Sequence, residues 1–323
     1  MSNRRSLIFK SLLNALWLRP ESALWYAHML SAAHSFGAGS LSAPSLEFGC
    51  MDGVNSFVIL GGDVPFKFDV FSETSWDRTS HTRSSLRDDY YDKVSQETAD
   101  TWCIGPPPRQ FTYGVDWKES HIQKAARLQA HGDLVLWTPG TPLSTFDDAS
   151  ISGIWAPNIY WMDDLGLVLS EFKRVLKSGG QIVTIGPDAA LVDHMLYRHG
   201  ARFDGNWIAD LDRGRHVNAQ RNGRTFDEWK FLFEKSRLGV VRHEGFLPSE
   251  VNDLYEVGFR PMFAPLLQMR EGLQVAGDGA LHSVKKIWIE RIVMLLGPFL
   301  DNETLYNFKG PLLWHIFELT HLE

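Results

Sequence analysis

The sequence is poor in cysteine, carries no excess of basic charge and has no long apolar run. Its two cysteines, Cys50 and Cys103, are too few and too far apart for a disulfide framework or a cysteine-built zinc site. Two distant thiols fit a reducing compartment, so the expected location is cytoplasmic. A net charge of −7 excludes a general electrostatic pull toward nucleic acid. No apolar stretch reaches the roughly 20 residues that span a bilayer. Clustered carboxylates and histidine pairs at helical spacing are also lacking, and no metal is expected. What the chain does have is length and apolar content: 323 residues, 44 % hydrophobic and 22 % charged. That is the composition of a soluble globular protein with a large core. Twelve Trp and twenty Phe can fill that core or wall a flat apolar cleft.

The first twenty residues, MSNRRSLIFKSLLNALWLRP, are basic and then apolar, like a secretory signal. Lys10 and Asn14 interrupt the run, and Arg19-Pro20-Glu21 ends it early. The expectation is a docked helix with Leu7, Ile8, Leu12, Leu13, Leu16 and Trp17 on its apolar side; a helix lying on a membrane surface is the alternative. A second helix follows over about 21–35, giving an N-terminal helical cap over 1–44. Residues 45–323 read as one domain. It contains a polar segment without helical or strand period at about 61–109, expected to be a lid-like insertion. A further helical segment is expected at about 251–300.

Strands alternate with helices along the rest. SLEFG, FTYGVDW, ISGIWA, QIVTIG, VVRHEGF and PLLWHIFELTH read as strands. The clearest helix carries Leu165, Val168, Leu169, Phe172, Val175 and Leu176 in an i, i+3, i+4, i+7 stripe. Asp163 or Asp164 is its expected cap, with Lys177 in its last turn and Gly179-Gly180 as its stop. TFDEWKFLFEKSRLG is a helix capped by Thr225 or Asp227. Such alternation implies an α/β fold: a doubly wound, mainly parallel sheet with helices on both faces.

In such sheets ligands bind at the carboxyl ends of the strands, near the point where strand order reverses. LEFGCMDG ends the first strand there. Gly49 allows a tight turn and Gly53 a close approach of the next helix. Met51 stands where such turns often place another glycine, so a cofactor loop, a decayed loop and a plain strand–turn–helix all remain open. Asp116 ends the next strand, where an acid holds ribose hydroxyls by charge-assisted hydrogen bonds. Asp133 is a further carboxylate, suited to an adenine amine. A phosphate-binding reading fits poorly, because GxGxxG and GxxxxGK[ST] are both missing and Glu47 and Asp52 add negative charge to the turn. Carboxylates around a turn suit a cationic, phosphate-free cofactor, and S-adenosylmethionine is one.

With these residues in view, the sequence resembles class I S-adenosylmethionine-dependent methyltransferases, type 11-like, similar to those of polysaccharide and other secondary biosynthesis. LEFGCMDG matches the glycine motif, YGVDWKESHIQKAARL the second-strand motif, and the block from GDLVLW through RVLKSGGQIVTIGP the centre of the family. TFDEWKFLFEKSRLGVVRHEGF is similar to its later helix and strand. The resemblance implies a Rossmann-like seven-stranded sheet and S-adenosylmethionine as cofactor. It implies that Glu47, Gly49, Cys50 and Gly53 line the methionine end, with the Met51 side chain narrowing the approach. Asp116 would hold the ribose, Trp117 would cover the adenine, Asp133 and Leu134 would frame its edge, and Asn158 would lie near the transferred methyl.

Methyl transfer to oxygen or nitrogen also needs a proton acceptor. His194, His216, His243 and Asp188 are the candidates, none singled out by a motif. The aromatic and polar character of the added segments favours a sugar, glycan or glycosylated metabolite as acceptor. An aromatic or lipid-like small molecule comes next, then a non-catalytic partner with the same fold, and last a nicotinamide-dependent dehydrogenase. A homo-oligomer is compatible with the chain.

Overall fold

A computed structural model describes residues 2–74, 93–95, 102–198, 207–259, 262–300 and 308–322. Seven strands form one sheet: β1 (Ser45–Phe48), β2 (Phe111–Asp116), β3 (His131–Leu136), β4 (Ile151–Ala156), β5 (Leu176–Pro187), β6 (Leu238–Pro248) and β7 (Leu312–His321). Their order is β3-β2-β1-β4-β5-β7-β6. All neighbours are parallel except β7, which runs antiparallel to both β5 and β6. This is the expected Rossmann-like, doubly wound sheet. The chain winds outward from β1 to β3, then crosses to β4 on the other side of β1. That reversal makes the carboxyl ends of β1 and β4 the ligand-binding crevice of such a fold.

Helices α1 (Ser2–Ala15), α2 (Pro20–Ser35), α3 (Val54–Ile59), α4 (Glu119–Leu128), α5 (Leu165–Val175), α6 (Trp207–Asn222), α7 (Phe226–Lys235), α8 (Ser249–Val257), α9 (Phe263–Val275) and α10 (Asp278–Leu296) surround it. The α5 stripe behaves as its spacing predicts: Leu165, Val168, Leu169, Phe172 and Val175 are buried against Leu46, Phe48, Ile154 and Phe317. Each such side chain contributes about 1.5–3 kcal/mol of burial. Asp164 is the cap, its Oδ1 accepting the Leu167 amide at 2.9 Å. The helix stops at Val175 rather than at Gly179-Gly180, because Leu176 turns extended and joins β5. Thr225 caps α7 in a reciprocal box with Glu228.

The opposite face of the sheet is covered by the N-terminal helices. Phe9, Leu12, Leu13 and Trp17 share one apolar cluster with Trp155, Val183, Ile185 and Ile316. Of the expected apolar side of the first helix, Leu12, Leu13 and Trp17 are fully buried and Ile8 and Leu16 partly so; Leu7 is 61 % exposed, and Phe9 is buried in addition. The helix's apolar side lies against the body. No helix among the described residues is long and apolar enough to cross a membrane.

Of the polar segment at 61–109, residues 75–92 and 96–101 lie outside the described residues. The arm leading into it is part of the core. Val64, Phe68, Val70 and Phe71 are buried beside Trp102. Asp69 accepts hydrogen bonds from Trp17 Nε1 (3.2 Å), the Phe71 amide (3.0 Å) and Arg270 Nε (2.8 Å). Lys285 Nζ donates to the carbonyls of Asn14, Phe66 and Phe68 at 2.6–2.8 Å, joining α1, the arm and α10.

Candidate functional site

Three strand ends converge at the crevice. The turn after β1 leaves the sheet at Gly49 (φ 81°), passes Met51 (φ 51°) and enters α3 through Gly53 (φ 83°). Both glycines are required by this path. A Cβ on Gly49 would lie 2.7 Å from Asn158 Cβ, and one on Gly53 would lie 3.0 Å from Ala125 Cα in α4. Met51 adopts the left-handed region without being glycine, and its amide is thereby aimed at β2. That amide donates to Asp116 Oδ2 at 2.8 Å. The other oxygen, Oδ1, accepts the Lys118 amide at 2.9 Å and faces His121 Nδ1 at 3.0 Å. Asp116 is fully buried. A carboxylate has about four acceptor positions, so three are filled here. From the end of β4, Asn158 Nδ2 donates to the Gly49 carbonyl at 2.7 Å. Cys50 is buried in the same turn, and its thiol is pushed well up by burial and by the nearby Asp116 and Glu47 carboxylates.

The structure therefore brings Gly49, Cys50, Met51, Gly53, Asp116 and Asn158 together. Trp117 is half-buried next to them and packs on Phe48, with ring centroids 6.4 Å apart.

Three of the expected residues lie elsewhere. Glu47 does not line the turn: its carboxylate accepts from His131 Nε2 at 2.7 Å and is 1 % exposed. The pair passes β2 at Gly114, where a Cβ would come within 2.6 Å of the His131 ring. Register explains Asp133 and Leu134. Tyr113 pairs with Asp133, whereas Asp116 pairs with Leu136. Asp133 thus sits about 10 Å below the carboxyl end of β3 and is exposed. The residue that follows the strand at the crevice is Trp137, whose amide donates to the Asp116 carbonyl at 2.8 Å.

The four proton-acceptor candidates separate. His194 makes a partly exposed contact with Asp253 at 3.1 Å. His216 is buried, its ring 4.3 Å from Tyr197. Asp188 and His243 belong to one cluster, joined by His315, which sequence reasoning passed over. Asp188 follows β5 directly. Its Oδ1 accepts the Ala190 amide at 2.8 Å, and its Oδ2 lies 2.8 Å from His315 Nε2. His315 Nδ1 is 2.9 Å from His243 Nε2. The carboxylate at one end sets the tautomers: His315 donates from Nε2, accepts at Nδ1 from His243 Nε2–H, and leaves His243 Nδ1 as the basic nitrogen, with no partner among the described residues. Burial and the adjacent His315 push the His243 pKa down, so the ring stays neutral at neutral pH. Strand β6, which carries His243, lies three strands from β4, about 14 Å away. Asp188 is thus the member of this cluster at the crevice side. A lone histidine in the apolar run LLWHIFEL was the available signal for His315.

An aromatic group flanks the same edge. Tyr160 meets Trp314 edge-on at 4.9 Å, and Trp314 meets Trp25 at 5.1 Å. Trp314 Nε1 is buried with no hydrogen-bond partner among the described residues. Arg215 is ion-paired with Glu256 and lies 5.3 Å over the Tyr255 ring. Burial pushes the Tyr160 hydroxyl pKa upward. Among the described residues no group of three or more His, Cys, Asp or Glu is placed to hold a metal ion.

No protein-family model and no curated protein matches this sequence. Solved structures similar in chain trace include geranyl diphosphate C-methyltransferase from Streptomyces coelicolor A3(2), at 13 % identity and a TM-score of 0.42, covering 94 % of this chain and 84 % of that one. The YcgJ protein from Bacillus subtilis gives 14 % identity and a TM-score of 0.43 over 92 % of this chain and 100 % of its own. An S-adenosylmethionine-dependent methyltransferase from Thiobacillus denitrificans gives 13 % and 0.40 over 90 % and 91 %. At scores this low the likenesses bear on neither activity nor ligand. The strand order and the residues at the crevice carry the functional reading.

Proposed function

We propose that this chain is an S-adenosylmethionine-dependent methyltransferase whose cofactor site is the crevice at the carboxyl ends of β1, β2 and β4. One observation supports this above the rest: the Met51 amide bonds Asp116. The glycine turn and the acid expected to hold a ribose are thereby already joined, beside the strand where the order reverses. The donor set fits a phosphate-free, cationic nucleoside. Asp116 is partnered by two amides and an imidazole and keeps one acceptor position. Asp116 would hold the cofactor beside the Gly49–Gly53 turn, whose Gly49, Cys50, Met51 and Gly53 amides are already bonded within the protein and fix its shape, and the Asn158 side chain must move off Gly49 to admit it.

When bound, the cofactor supplies an activated methyl group. The protein's part is to align the acceptor and exclude water, and good alignment alone is worth about 7–11 kcal/mol. Asp188, at the end of β5, is the residue placed to take the acceptor's proton, with His315 fixing its orientation. For the acceptor we favour a hydroxyl of a sugar or glycan, as in cytoplasmic polysaccharide biosynthesis. The mixture of Tyr160, Trp25 and Trp314 with the Arg215–Glu256 pair suits a polar ring. An aromatic or lipid-like acceptor is the alternative that the same wall permits.

A non-catalytic protein of the same fold is the second reading. It is favoured by the burial of Asp116 and by Asn158 seated on Gly49. Titration calorimetry with S-adenosylmethionine and S-adenosylhomocysteine separates the two. Saturable one-to-one binding, lost in Asp116→Asn, is the result expected of the enzyme. A folded chain that binds neither selects the second reading. A methyl-transfer screen against glycan fragments and aromatic phenols then decides the acceptor.

A further inference from the structure

The two oxygens of Asp116 are used differently. Oδ1 accepts the Lys118 amide at 2.9 Å and lies 3.0 Å from His121 Nδ1, both at the start of α4. Oδ2 accepts the Met51 amide of the glycine turn at 2.8 Å. Each carboxylate oxygen has about two acceptor positions, so Oδ1 is filled and the open position of Asp116 is on Oδ2. A carboxylate only accepts, so His121 carries its proton on Nδ1 and donates it. The helix holds His121 to this task. His121 is buried in the first turn of α4, on one face with Lys124, Ala125 and Leu128. Its amide donates to the Lys118 carbonyl at 3.1 Å. Ala125, one turn on, is the residue against which Gly53 packs, where a Cβ would lie 3.0 Å from Ala125 Cα. One helix face therefore braces both the acid and the turn.

We infer, on the reading of this crevice as an S-adenosylmethionine site, that His121 is a positioning residue that dedicates Asp116 to a single hydroxyl of the cofactor's ribose. The two neighbouring hydroxyls of a ribose could each take one oxygen of an unrestrained carboxylate. Here Oδ1 is closed by an amide and an imidazole. Rotation of the carboxylate would break hydrogen bonds on both sides, to α4 and to the turn. One position on Oδ2 is left, and one hydroxyl donates to it. Without the imidazole the carboxylate loses a third of its anchoring, and its preference for that hydroxyl goes with it.

Titration calorimetry of the full chain with S-adenosylhomocysteine and with its 2′-deoxy and 3′-deoxy analogues tests this. The wild-type chain should bind one of the two analogues about tenfold more weakly than the parent, the size of one hydrogen bond to a charged group, and the other nearly as well. His121→Phe keeps a ring but no donor. It should bind the parent about tenfold more weakly while leaving the poorer analogue within about threefold, so that the discrimination closes. His121→Asn places an amide nitrogen where Nδ1 stood and should keep the discrimination. Circular dichroism checks that each variant is folded. Equal losses with both analogues in the wild-type chain would show Asp116 taking both hydroxyls, and overturn the inference. A His121→Phe chain weakened equally for all three ligands shows a role in the fold alone and also overturns it. So does one that binds like wild type, or a His121→Asn chain that loses the discrimination. A folded wild-type chain that binds no S-adenosylhomocysteine removes the methyltransferase reading itself, and this role of His121 with it.

Discussion

Two acid–histidine pairs of the same chemistry lie in different parts of the sheet, and they do different things. Glu47–His131 sits under β1, β2 and β3, sealed on every side. Asp188–His315 sits where β5 meets β7, and continues through His243 to a nitrogen that has no partner among the described residues. The first pair can only hold strands in place. The second can accept, orient and release a proton. Spacing and residue type do not distinguish them; the path from the pair to solvent does. Asp116 stands between the two: three partners fix it as the joint between the glycine turn and β2, and one acceptor position stays open.

The comparison can be broken most directly by removing each carboxylate. Asp116→Ala removes the acceptor of the Met51 and Lys118 amides and of the His121 ring, at about 1–3 kcal/mol for a buried donor whose partner is lost. Urea denaturation should show a loss of about 4 kcal/mol, against about 1 kcal/mol for Asp188→Ala, which is partly exposed. Equal losses would mean that the two regions are alike.

His131→Phe comes next. It strands the Glu47 carboxylate in the core, and unfolding should cost about 3 kcal/mol. Adding Glu47→Leu should recover much of this, because the charge left without a partner is then gone. His315→Phe should leave stability nearly unchanged while shifting the imidazole resonances of His243, read by nitrogen NMR.

A sealed imidazole also leaves a pH signature. His28 is buried with its Nε2 3.0 Å from the Phe299 carbonyl, and burial, reinforced by Arg5, pushes its pKa down to about 3. The unfolded chain binds a proton there near pH 6.5, but the folded chain does not. The stability this group gives is therefore complete above about pH 6.5 and is lost as pH falls toward 3, at about 1.4 kcal/mol per unit. Between pH 7 and 5 the loss should approach 2 kcal/mol, and His28→Gln should flatten that slope. His243, depressed in the same direction but half exposed, should contribute much less.

The smallest expected effect sharpens the local side of the comparison. Thr225→Ala removes one half of a capping box on α7 and should cost about 1 kcal/mol by thermal unfolding.

That cap was legible because everything it needs lies within four residues. So were the α5 stripe, the β-branched run of β5, the turn at Gly49–Gly53 and the acid at the end of β2. What the sequence concealed was partnership at a distance. His131 is 84 residues from Glu47 and His315 is 127 from Asp188, and no local pattern links either pair. Strand β3 is an edge strand with exposed Gly132, Asp133 and Leu136, so it lacks the apolar alternation that announces a strand. Its start was therefore not readable, and Asp133, expected beside an adenine, lies within the strand, three residues before its carboxyl end. The preceding helix ends at Leu128 because Gln129 turns left-handed, a position no glycine marked; Gly132 lies beyond it, inside β3.

Met51 holds a conformation that ordinary side chains resist, at a strain of about 1 kcal/mol or more. A bow kept strung in this way is quick: its amide is already pointed before any visitor arrives. Glycine at the same position would let the string go slack. Such a variant would gain ease and lose aim, and the span between the first two strands would become a hinge with play in it.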